Sequence, residues 1–145
     1  EQFWTFTIDH PARRTWVGIM FEQVCKDHIA QIKRTLGISG VMSEQSTWYT
    51  KPDKDSTVRG AQIDMLIARR DRVINICEMK FSQNEYTIDK DYEMQLRNKL
   101  GAFRDTTRTR DALHITMVTT YGVKPNIHSS IVQSQVTMDD LFAEA

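Results

Sequence analysis

Asp64, Glu78 and Lys80 are the residues of this chain whose types and spacing could do chemistry together. Each belongs to an otherwise apolar run, Ile63-Asp64-Met65-Leu66-Ile67 or Ile74-Asn75-Ile76-Cys77-Glu78-Met79-Lys80-Phe81. The runs read as two strands, Gln62 to Ala68 and Val73 to Phe81, joined through the charged turn Arg69-Arg70-Asp71-Arg72 into a hairpin. A three-residue turn centred on Asp71 sets Asp64 directly opposite Glu78, with Cβ atoms about 5 Å apart on one face. Strand alternation then brings Lys80 to the same face. Like charges across a ladder destabilise a sheet, so a compensating partner is expected. A divalent cation fits: Mg²⁺ (or Mn²⁺) is a hard ion that takes carboxylate, water and phosphate oxygens. Between Asp64 and Glu78 it would polarise a phosphate, while the Lys80 ammonium orients water or offsets developing negative charge. The plainer alternative is a salt bridge from Lys80 to either acid at the open edge of a sheet.

Glu22 enters by a separate route. Glu22, Cys25, Ile29, Ile32 and Leu36 follow alternating three and four spacing and share one face of a helix that is otherwise apolar there. A glutamate in core register is either another metal ligand or a residue at the end of the stripe reaching solvent.

The elements that must position these groups follow from periodicity. A helix runs from about Thr15 to Leu36, after an irregular start at Asp9-His10-Pro11, and stops at Gly37. Thr47 to Thr50 is a short strand, followed by a polar loop over Lys51 to Arg59. After the hairpin come a polar connection, Ser82 to Thr87, and a second helix from Asp89 to about Arg108, paced by Tyr92, Leu96, Leu100 and Phe103. Leu113 to Tyr121 reads as a buried strand and Ile131 to Val136 as a last one. Thr137, Asp139 and Asp140 suit a helix N-terminus. The order helix, three strands, helix, strand implies an α/β domain with a mixed sheet flanked by helices.

Gly60-Ala61-Gln62-Ile63-Asp64, then Ile76-Cys77-Glu78-Met79-Lys80, between a helix bearing Glu22 and a following helix, resembles the core of the PD-(D/E)XK nuclease superfamily. The likeness spans roughly Trp16 to Tyr121 and is most specific to the nuclease-like C-terminal domain of bacterial and archaeal AAA-type ATPases. It implies a restriction-endonuclease-like αβββαβ fold. It implies Asp64, Glu78 and Glu22 as metal ligands, Lys80 as the catalytic lysine, Mg²⁺ or Mn²⁺ as cofactor and DNA as substrate. It also raises an ATPase domain in the same chain and a homodimer as partners. Ile63 stands where the superfamily's name has Pro. Gln95 matches the glutamine that RecB-type members carry in the second helix as a substrate contact, but Lys99 stands where an aromatic residue follows.

Bulk properties set the frame. A chain of 145 residues is read as one domain, 1–145, and no stretch reaches the roughly 20 apolar residues of a membrane span. Cys25 and Cys77 are distant and unlike in context, which suits small reduced core residues of a cytoplasmic protein. Formal net charge is zero, so any nucleic-acid face must be local. Its candidates are Arg69, Arg70 and Arg72, and then Arg97, Lys99, Arg104, Arg108 and Arg110, each cluster otherwise being solvated surface. His28, His114 and His128 show no ligand or triad spacing, and Trp4, Trp16, Trp48 and Tyr49 suit packing better than base stacking. With no Gly-rich phosphate loop, the chain should not itself hydrolyse ATP. Two readings rival a nuclease: a non-cleaving module that binds DNA or protein beside an ATPase domain, and a pure interaction module, which neutral charge suits.

Overall fold

The computed structural model describes residues 11–50 and 61–144, with side chains from residue 15 onward. The expected start around Asp9-His10, Trp4 and the loop over Lys51 to Arg59 lie outside the described residues. The elements are α1 (Pro11–Asp27), α2 (Ile29–Thr35), β1 (Ser43–Thr50), β2 (Ala61–Arg69), β3 (Val73–Lys80), α3 (Lys90–Thr107), β4 (Ala112–Thr119), a single 3₁₀ turn (Ser129–Ile131), β5 (Val132–Thr137) and α4 (Met138–Phe142). The strands form a five-stranded sheet in the order β1-β2-β3-β4-β5. The first two pairings are antiparallel and the last two parallel, so the sheet is mixed. A parallel neighbour requires a crossover, and α3 supplies it between β3 and β4. This is the α/β architecture that the order of elements implied.

Helices cover both faces. On one, Tyr92, Leu96 and Phe103 of α3 pack with Ile63, Leu66, Ile74, Ile76, Ile115 and Met117. On the other, Phe21 and Cys25 of α1, Ile32 of α2 and Leu141 of α4 pack with Met65, Ile67, Cys77, Met79, Val118 and Val136. In β3, Ile74 and Ile76 serve the first core, Cys77 and Met79 the second, the period-two alternation of a strand buried on both sides.

The helix expected over Thr15 to Leu36 is two helices. His28 breaks it: its Nδ1 bonds Val24 O at 2.7 Å, the carbonyl its own N–H would reach in an α-helix. That N–H turns instead to Cys25 O, three residues back, and φ moves to −121°. The stripe from Glu22 to Leu36 is therefore split between α1 and α2. Gly37, at φ 74°, ends α2 as expected, with Ile38 N–H on Lys33 O and Gly37 N–H on Arg34 O.

The second helix matches its expected span through its caps. Asp89 accepts the Tyr92 N–H at 2.8 Å, and Arg108 closes the C-terminus in the left-handed conformation at φ 58°. β1 is longer than the expected Thr47 to Thr50, because as an exposed edge strand it needs little apolar patterning to pair with β2.

Candidate functional site

The hairpin turn is Arg70-Asp71-Arg72, with Arg72 at φ 71°, the left-handed third position of a three-residue loop. Pairing proceeds from it through Ala68↔Ile74, Ile67↔Asn75, Leu66↔Ile76 and Met65↔Cys77, a register whose next pair is Asp64 and Glu78. The ladder stops there. Against β1, Ser46 pairs with Leu66 and Trp48 with Ile63, so β2 holds one extra residue between them, at Asp64-Met65. This bulge puts Ile63 and Leu66 in one core and Met65 in the other.

Side chains replace the missing ladder bonds. Asp64 N–H donates to Glu78 Oε2 at 3.3 Å, and Met79 N–H donates to Asp64 Oδ2 at 3.0 Å. Each acid thus grips the main chain of the other's strand. Glu78 itself is wholly buried on the α3 side of the sheet, where its Oε1 is ion-paired with Lys99 Nζ and lies 3.5 Å from the Tyr92 hydroxyl. Lys80, two residues on, holds its Nζ 5.1 Å from the centre of the Tyr92 ring.

Burial pushes the Glu78 carboxyl above its ordinary range, the Asp64 charge adds to this and Lys99 opposes it. Burial also raises Glu22, with Asp64 adding, while Lys26 and Lys80 lower it. Glu22 sits on α1, within 3.7 Å of Lys26. The structure therefore brings Asp64 to Glu78 at the open end of the hairpin, with Glu22 on α1 within electrostatic reach of Asp64 and Lys80. Burial likewise lifts the Tyr92 hydroxyl and the Cys25 thiol, the latter to about 12, with Glu22 and Asp64 contributing.

Two carboxylates that each accept a main-chain N–H of the other's strand, with a third on α1, are in kind the oxygen donors a hard cation takes. Among the described residues, no three His, Cys, Asp or Glu side chains converge on a point where an ion could sit. At Glu78, the Lys99 ammonium holds one of the carboxylate oxygens.

Lys99 and Tyr92 are the members that reading along the chain did not single out for this site. Both lie on α3, two turns apart, and only the packing of α3 on the sheet brings them to Glu78. Gln95, between them, is exposed. The basic clusters are largely spent on neighbours: Arg69 binds Asp71 and Asn75, Arg72 binds Asp111, Arg97 binds Glu93, and Arg104 donates to the carbonyls of Thr109 and Asp111. His28 is engaged at Val24 O and His128 at Glu93. Trp48 packs edge-on against Phe103, 5.2 Å between ring centres. Cys25 and Cys77 are buried free thiols. No described helix is long and apolar enough to cross a membrane.

No family model matches the chain, and no curated protein matches it. Among solved structures it is similar to the crystal structure of AF1548, a protein of unknown function, at a TM-score of 0.50 and 13% sequence identity. The match covers 80% of this chain and 56% of that one. At that identity the likeness is one of fold.

Proposed function

We propose that this domain hydrolyses phosphodiester bonds of nucleic acid, with DNA as the substrate, through a divalent-metal site of the PD-(D/E)XK type. One observation carries this reading: Asp64 and Glu78 meet across the end of a hairpin inside otherwise apolar strands, each accepting a main-chain N–H of the other's strand, with Glu22 in the electrostatic reach of Asp64 and Lys80. Asp64 and Glu78 would hold Mg²⁺ or Mn²⁺, with Glu22 beside them. Bound there, the cation would polarise the scissile phosphate and acidify water. The chain's own part is positioning. The bulge aims Asp64, β3 fixes Glu78 and Lys80 two residues apart, and the Tyr92 ring steadies the Lys80 ammonium, which orients water or offsets charge as it develops. Gln95, exposed on α3, is a candidate substrate contact. An AAA-type ATPase domain in the same chain and a homodimer belong to the same reading, by resemblance alone.

A second reading has its own support. The Lys99–Glu78 pair already gives the buried acid a counter-charge, which is what a non-cleaving DNA- or protein-binding module would need from these residues. Calorimetry with Mn²⁺ separates the two, comparing wild type with Asp64→Asn and Glu78→Gln, followed by plasmid nicking. Binding and nicking by wild type, both lost in the variants, are expected. A folded wild type that neither binds Mn²⁺ nor nicks DNA would move the interaction module ahead.

A further inference from the structure

Lys99 reaches Glu78 from two turns beyond Tyr92 on α3, and its ammonium pairs with a carboxylate that has no exposed surface. A buried acid whose partner is removed is strongly destabilising, so this counter-charge cannot simply be absent. Yet Lys99 itself is not sealed in: its side chain keeps 19% of its exposure, against none for Glu78. A lysine tethered by a flexible four-carbon stem can withdraw to water along such a path, whereas a rigid bidentate arginine could not do so as readily. Glu78 Oε2, in contrast, is fixed by the Asp64 main chain, so the carboxylate stays in place whichever cation it faces.

We propose that Lys99 is a built-in counter-cation that competes with the divalent metal for Glu78, so that metal loading is an exchange in which the ammonium leaves the carboxylate and turns to solvent. The proposal rests on the metal-site reading above and adds a positioning role for Lys99: it holds the metal-free site folded and sets how tightly metal binds. One cation replaces another at Glu78, whose Oε2 keeps its bond to the Asp64 N–H.

The test uses MnCl₂ alone, read by calorimetry and by thermal midpoint rather than by cleavage. Lys99→Met is expected to melt below wild type without metal, to recover with Mn²⁺ through preferential binding to the folded state, and to bind Mn²⁺ at least tenfold more tightly. Should Lys99→Met not fold, Lys99→Arg keeps the charge in a more firmly held form and is expected to weaken Mn²⁺ binding several-fold. Unchanged affinity in the folded variant, or weaker binding by Lys99→Met, would overturn the exchange while wild-type binding left the metal site standing. No Mn²⁺ binding by wild type and by the variant alike would remove both the metal site and the exchange.

Discussion

At the turn end of the β2–β3 hairpin, Arg69 grips Asp71 at 2.6 Å and Arg72 grips Asp111 at 2.7 Å, in contact with water. At the open end, the wholly buried Glu78 is ion-paired with Lys99 and accepts the Asp64 N–H, while Asp64 accepts the Met79 N–H across the strands. The residue types are the same at both ends, an acid and a base. What differs is solvent. Water screens the turn pairs, so each contributes little, whereas a desolvated acid must be compensated or the fold pays several kcal/mol. Charge at the turn end can vary freely; charge at the open end is constrained, and constraint of that kind is what a chemical site requires.

The largest effect expected from breaking this contrast is at Glu78. Replacing it with alanine leaves a void and takes the acceptor from the Asp64 N–H, and should cost about 3–5 kcal/mol in urea unfolding. The double change Glu78→Leu with Lys99→Met should recover most of that loss, since an apolar pair of similar volume fits a core better than a half pair. A double variant no more stable than Glu78→Ala would mean that the acid matters through its bond to the Asp64 main chain and not through its charge.

An intermediate effect should appear at alkaline pH. Burial, aided by Glu22 and Asp64, raises the Cys25 thiol from 9.0 to about 12. Between those values the folded state keeps a proton that the unfolded chain has released, so stability is full below pH 9 and falls as pH rises toward 12. Chemical unfolding followed over that window should show a shallower decline in Cys25→Ala than in wild type. Equal slopes would show that burial and the nearby acids do not hold the Cys25 proton in the folded state.

The smallest effect belongs to the turn. Arg72 keeps 75% of its side-chain exposure, so Arg72→Ala should cost about 0–1 kcal/mol, fading further in high salt. A larger, salt-insensitive loss would place the turn end in the same class as the open end.

The elements themselves were well marked along the chain. Asp89 and Arg108 bound α3 where the apolar pacing of Tyr92, Leu96 and Phe103 begins and ends, and the turn centred on Asp71 was fixed by the charged residues between two apolar strands. His28 was not legible as a break, because the competition between its ring and its own N–H for Val24 O is not visible in hydrophobic spacing. Nor was the bulge at Asp64-Met65, since the extra residue is defined only by what β1 pairs with on the far side.

By itself, the sequence determined which residues face each other along β2 and β3, because a strand repeats every two residues and a turn of known length fixes the register. It therefore placed Asp64 against Glu78, and Lys80 on the side of Glu78. Only the tertiary structure decided what Glu78 touches. Lys99 lies 21 residues away on a helix whose rotation and tilt are set by how Leu96 and Phe103 fill the core, and no local periodicity encodes that packing.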